Sequence, residues 1–365
     1  MKQIIFDVDG VFLSEERCFD VTAITVFELL YGKHYLDLSG DDISVLLTDE
    51  EIASIRRKIL YKDNILKKLK DKGLNSNWDM LFIIFSIHLI ELIKRNRSQF
   101  NNDFNHIDLK WLQEAKFSDE LINYELPLSF ISNVPSGKLE VYDHLVTYAS
   151  EELQTDAVES FQLKSSLWNI SQNVYQEWYL GEAYHFETSG KESLLKGKPG
   201  YLKNEVIIQA ADKIKTVLDR IKEKGYIIGI ATGRPRIETL VPFESFDLLS
   251  YFDENKIVTA SEVLDAERMF PEHRPLGKPH PFCYLASYHG NNPSHYLDYI
   301  NGECVEKSEF IIVGDSLADY YCAKAIGATF VATLTGVKGQ SERSTFEDLQ
   351  ADYIIDDILD LDKIL

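Results

Sequence analysis

Residues 4–11 read Ile-Ile-Phe-Asp-Val-Asp-Gly-Val, an apolar run that ends in two carboxylates two positions apart. Side chains alternate along a strand, so Asp7 and Asp9 would share a face if the strand continued. Gly10 predicts that it does not, and that the chain turns at the strand's end. Two acids at the carboxyl end of a buried strand are costly unless something compensates them. A hard cation such as Mg²⁺ does so, because it takes carboxylate oxygens and brings phosphate with it. The pair therefore reads as a candidate reaction centre, with turn capping as the plainer alternative.

Three further segments carry residues suited to the same chemistry. Residues 226–235 form a second apolar run that ends at Thr232, followed by Gly233, Arg234 and Pro235. Backbone N–H groups after such a turn can cradle a phosphate, and the Thr232 hydroxyl can donate to one of its oxygens. Residues 276–281, Leu-Gly-Lys-Pro-His-Pro, pin Lys278 on a stiff loop ahead of a helix-like stretch at 281–287. Its point charge could neutralise a carboxylate nucleophile or a phosphoryl oxygen. Residues 310–319 form a third apolar run that leads into Asp315 and Asp319, spaced i, i+4 on one helical face. These two acids fit a metal site, one as direct ligand and the other orienting a water or ligand.

The elements needed to hold these residues are three buried strands, each delivering its polar groups at the carboxyl end. Ligands of open α/β sheets bind there. The order Asp7-x-Asp9, Thr232-Gly233-Arg234, Lys278 and Gly314-Asp315-x-x-x-Asp319 resembles the haloacid dehalogenase-like (HAD) hydrolase superfamily. The resemblance covers a core of residues 1–15 and 205–365. It implies a Rossmann-like, doubly wound parallel sheet and a phosphoryl-transfer reaction. Asp7 would be the nucleophile, and Asp9 the general acid/base that protonates the leaving oxygen and then activates water. Mg²⁺ would sit on the Asp7 carboxylate, the Asp9 main-chain carbonyl and Asp315, with Asp319 in support. Thr232, Gly233, Arg234 and Lys278 would hold the phosphoryl oxygens. Relatives that cleave carbon–halogen or carbon–phosphorus bonds generally lack the second acid, so Asp9 points to phosphate esters. Phosphoryl transfer asks mainly for in-line positioning and charge neutralisation, which these residues can supply.

Residues 16–204 interrupt that core. All four tryptophans (Trp78, Trp111, Trp168, Trp178) lie there. Apolar residues recur at i, i+3/i+4 over 23–31, 49–60, 78–93, 109–115, 142–153 and 157–179, which predicts a folded, mostly helical domain. In the superfamily, an insertion after the first strand resembles a C1-type cap, a helical lid, here larger than usual. Residues 80–93 are strongly apolar but too short to span a bilayer, and they contain His88 and Glu91, so they predict a buried helix capped by Asp79. Residues 189–200, rich in Gly and Lys, read as a solvated hinge.

A length of 365 residues fits two domains, and the net charge of −21 argues against a nucleic-acid partner. Met1 stands almost directly before a core strand, leaving no room for a signal peptide. Cys18, Cys283, Cys304 and Cys322 show no zinc or redox spacing and read as reduced thiols of a cytoplasmic protein. The expected function is a Mg²⁺-dependent phosphatase for a small phosphorylated metabolite, with no membrane partner. A phosphotransferase or phosphomutase, and a non-catalytic binding protein of the same fold, are the alternatives.

Overall fold

The computed structural model describes residues 2–39, 43–74, 76–117, 121–302 and 309–365. It divides into two compact units, one of residues 1–16 with 202–365 and one of residues 17–201.

The first unit is built on a parallel six-stranded sheet. Its strands are β1 (Gln3–Phe6), β2 (Ile227–Ala231), β3 (Ile257–Val258), β4 (Phe310–Gly314), β5 (Thr329–Thr333) and β6 (Tyr353–Ile355), in spatial order β3-β2-β1-β4-β5-β6. Each strand's pleat sends alternate residues to opposite faces. Ile4, Phe6, Ile228, Ile230, Val313 and Val331 join one apolar cluster with the helix Ala211–Glu223. Ile5, Phe310, Ile312, Phe330 and Ala332 join another with the helices Phe282–His289 and Leu317–Ile326. With both faces covered, the strands are apolar runs and not alternating ones, as expected of a parallel sheet. The chain leaves β1 for β2 on one side and returns to β4 on the other. That reversal makes the carboxyl ends of these three strands the switch point of the sheet.

The segments that leave and re-enter this unit are tied together. Ser14 N donates to the Val206 carbonyl and Ile208 N to the Phe12 carbonyl, so the two stems pair as short antiparallel strands.

The second unit is helical. Its longest apolar helix, Asn77–Arg95, buries nearly every residue from Asp79 to Ile93, the pattern of a helix packed on all sides. Ser76, not Asp79, caps it, by accepting from Asp79 N. The Asp79 carboxylate instead accepts from Tyr142 Oη (2.8 Å) and Trp168 Nε1 (3.0 Å) and pairs with Lys138 (2.6 Å). His88 is buried in the same helix, and burial pushes its imidazole down to about 3. No helix among the described residues is long and apolar enough to cross a membrane.

The predicted solvated hinge departs from the structure at Lys198. Its ammonium is fully buried, 2.8 Å from Glu28 and 2.7 Å from Glu177. Trp178 Nε1 also donates to Glu28 and Asn173 to Glu177, while Glu28 Oε1 has no hydrogen-bond partner among the described residues. Composition suggested a mobile loop because the partners of Lys198 are far away in sequence. Removing one member of a buried ion cluster strands the others and costs about 3–5 kcal/mol. Lys198→Ala should therefore destabilise residues 17–201 by about that amount in urea melts followed by tryptophan fluorescence, which reads this unit alone. A loss below about 1 kcal/mol would show that water reaches the triad.

Candidate active site

Three adjacent strands each place a polar side chain one residue beyond their carboxyl ends: Asp7 after β1, Thr232 after β2 and Asp315 after β4. Asp7 continues the β1 ladder, its N–H donating to the Val313 carbonyl. The chain then turns tightly, with Val11, Phe12 and Leu13 N–H groups all donating to the Val8 carbonyl. Gly10 makes this turn possible. Its φ is +68°, and a Cβ there would stand 2.3 Å from the Asp315 carboxyl carbon. Thr333 and Thr335 hydroxyls donate to its carbonyl from the far side.

Asp7, Asp315 and Asp319 offer carboxylate oxygens within 4.8 Å of one another. Asp319 stands in the first turn of the helix Leu317–Ile326, where it forms a capping box with Ser316. Its Oδ2 accepts from Ser316 Oγ at 2.6 Å, and its Oδ1 lies 2.7 Å from Lys278 Nζ. Lys278 Nζ also stands 3.0 Å from Asp7 Oδ1. One ammonium thus stands against two of the three carboxylates.

The electrostatics follow from that count. Burial raises the Asp7 carboxyl to about 7, against the pull of Lys278 and with the push of Asp319 and Asp9. Burial, with the charges of Asp319 and Asp7, holds Asp315 well above the carboxylate range. Burial would raise Asp319 too, but the Lys278 ammonium and the bonds from Lys278, Ser316 and Tyr284 hold it low. Burial opposes the charge on Lys278, yet Asp319 and Asp7 keep it well above its ordinary value. An acid cluster short of positive charge, made wholly of hard oxygen donors, fits a divalent cation of the Mg²⁺ type.

Thr232 is buried, and its Oγ1 accepts from Arg234 N at 3.2 Å, so the hydroxyl still has a proton to donate. Gly233 is exposed, with open space where a side chain would stand. Two of the expected residues are engaged elsewhere. The Asp9 carboxylate faces the Arg234 guanidinium at 2.6–3.0 Å and lies outside the three-acid cluster. Arg234, expected to hold phosphate, is buried between Asp9 and Glu205. Its fork is already satisfied by carboxylates, which is the physical reason for the difference.

Sequence reasoning missed several contributors. Tyr284 Oη donates to Asp319 Oδ1 at 2.7 Å and accepts from Lys278 Nζ at 3.1 Å, holding both. It falls in the helix-like stretch after Lys278, where an aromatic reads as core. Glu205 and Gly336 had no local signal at all. Cys18, Cys283 and Cys322 are buried free thiols; Cys304 lies outside the described residues.

Residues 275–361, which include Lys278, Asp315 and Asp319, match the HAD-hydrolase-like family model. The chain is 47% identical to a protein solved by X-ray as Northeast Structural Genomics Consortium target ZR25, covering 100% of this chain and 98% of that one with a TM-score of 0.90. A phosphatase from Thermococcus thioreducens matches at 17% identity over 88% and 86% of the two chains, with a TM-score of 0.44. A HAD-superfamily hydrolase of subfamily IA from Geobacter sulfurreducens PCA matches at 15% identity over 100% and 96%, with a TM-score of 0.40. No curated protein matches.

Two outcomes test the cation site. A carboxyl raised in the folded chain stabilises it while protonated. For Asp7 that contribution is full below 3.8 and lost as pH rises through about 7. An added divalent cation should therefore raise the thermal midpoint more near pH 8 than near pH 5, since ionised acids bind it and need it. Equal shifts at both pH values would contradict the site. Separately, a Cβ at Gly336 would stand 2.0 Å from Asp315 Oδ2. Gly336→Ala should displace that carboxylate and weaken cation affinity by about 10-fold or more, read by titration calorimetry.

Proposed function

The chain belongs to the haloacid dehalogenase-like hydrolase superfamily, and on that premise we propose that it is a Mg²⁺-dependent phosphatase working through a phospho-aspartate at Asp7. The observation that carries this reading is Asp7 itself. It is a carboxylate at the end of the central strand, 3.0 Å from a buried lysine and grouped with two further acids.

The Asp7 carboxylate attacks phosphorus, and the bond to the ester oxygen breaks as Asp9 gives that oxygen a proton. Water then attacks the phospho-aspartate, Asp9 takes its proton, and phosphate leaves with Asp7 restored. Thr232 donates to a phosphoryl oxygen, and Lys278 balances the charge of the Asp7 carboxylate and of the group it receives. Asp7, Asp315 and the Asp9 carbonyl would hold Mg²⁺, with Asp319 in support. The bound ion supplies charge neutralisation and polarises a phosphoryl oxygen.

Residues 17–201 follow β1 in the chain, where a C1-type cap belongs, and we assign them the reading of the leaving group. Such a lid favours a small phosphorylated metabolite over a phosphoprotein or a duplex. The net charge of −21 also disfavours nucleic acid. The buried free thiols suit a reducing, cytoplasmic setting.

A panel of metabolite phosphates with Mg²⁺, run in parallel on wild type and variants, tests the proposal. Asp7→Asn should abolish turnover, and Asp9→Asn should lower it by about 10²–10⁴-fold. Chelator should silence the wild type. Free phosphate as product supports the hydrolase, whereas an isomerised sugar phosphate would mark a mutase. Full activity in Asp7→Asn would sink the mechanism, and a preference for a phosphoprotein over every small ester would sink the lid reading.

A further inference from the structure

We propose that Arg234 is a positioning residue for the acid/base Asp9, with Glu205 as the buried anchor that aims its guanidinium. The proposal rests on the phosphatase reading above and adds a role that the phosphate-loop position of Arg234 does not suggest.

Asp9 lies in the tight turn after β1, and its side chain remains about a third exposed, at 31%. A short acid in that setting has several rotamers open to it. Arg234 removes that freedom. Its Nε stands 2.9 Å and 3.0 Å from the two Asp9 oxygens, and its Nη2 stands 2.6 Å from Oδ1. The fork fixes both the distance and the plane of the carboxylate, which a lysine's single ammonium could not do.

The guanidinium is itself held by two further acceptors, and the Arg234 backbone is pinned at both its N–H and its carbonyl. Nη1 donates to Glu205 Oε1 at 2.7 Å and to the Glu238 carbonyl at 3.4 Å. Arg234 N donates to Thr232 Oγ1, and the Arg234 carbonyl accepts from Ala260 N. Glu205 is the informative member. Its side chain is fully buried, and burying a second carboxylate is expensive. Neutralising Asp9 needs only Arg234. Glu205 is not needed for that pairing; its Oε1 holds Nη1, so what it contributes is direction. Glu205 directly precedes Val206, whose carbonyl accepts from Ser14 N, while Asp9 lies on the outgoing stem. Arg234 thus ties the acid/base to both stems of the insertion from within one unit.

The test uses the leaving group. Protonation matters greatly for a phenyl leaving group and little for 2,4-dinitrophenyl. The value of kcat/KM reads steps through the first phosphoryl transfer. If Arg234 works through Asp9, Arg234→Met and Glu205→Gln should lower kcat/KM for phenyl phosphate by about 10²-fold or more, and at least about 10-fold less for the dinitrophenyl ester. Asp9→Asn should show the same slope, Arg234→Lys should recover little, and inhibition by inorganic phosphate should stay within about twofold of wild type. The double variant Arg234→Met/Glu205→Leu, which leaves no fully buried carboxylate stranded, should fold and show the same slope if a single variant does not. Equal losses on both esters, or inhibition by phosphate weakened more than about 10-fold, would overturn the proposal and return Arg234 to phosphate binding. Full activity in Asp7→Asn would instead overturn the phosphatase reading beneath it.

Discussion

Most of the core unit is arranged around one electrostatic constraint: three carboxylates share a small volume with one ammonium. The arrangement persists because each acid is held by a separate element with its own reason to be there. Asp7 extends a central strand, Asp315 terminates its neighbour, and Asp319 belongs to a helix cap. Lys278 is held by the fully buried Tyr284, so it cannot swing away to relieve its own burial. Folding positions these groups, and the positions leave negative charge in excess. That excess is the site's affinity for a cation and for the oxygens a cation brings.

The sheet explains why the constraint sits where it does. A parallel sheet must return by crossovers, and the first crossover from β1 is where 17–201 are inserted. The paired stems close that insertion with two backbone bonds, so the core ladder needs nothing from the inserted chain. A unit that large can vary without disturbing the strand ends that hold the acids.

What could be read from the sequence was what is local. The strand runs ending at Asp7, Thr232 and Asp315 carry their own hydrophobic signature, and the i, i+4 spacing of Asp315 and Asp319 needs only a helix. Tyr284, Glu205 and Gly336 were invisible because their roles exist only across the fold. Glu205 lies 29 residues from Arg234, and Asp9 lies 225 from it. Arg234 was misread for the same reason, since its neighbours in sequence describe a phosphate loop and its neighbours in space are acids. The helices at 64–71 and 126–132 were missed as short, with charge or proline masking their period. The helix expected at 157–179 starts only at Ser166, because a 3-10 turn at 159–161 precedes it, and runs to Ser189 across a break at Gly181, whose φ is +80°.

Buried charge alone does not mark a functional site, and this chain contains the comparison. In the helical unit, Glu28 and Glu177 surround Lys198, and Asp79 collects Tyr142, Trp168 and Lys138. Each of these acids is buried and has a lysine ammonium against it. Such clusters specify packing and offer nothing to a ligand. Burial pushes Glu28 and Glu177 up just as it does Asp7 and Asp315, so a raised carboxyl does not separate the two units; in the core unit, however, Asp315 is only half-buried, between two glycines too small to cover it. The difference is whether the acids are covered by the fold or left open to something that arrives. By that criterion the strand ends of the core are built to receive, and the charged interior of the helical unit is built to stay shut.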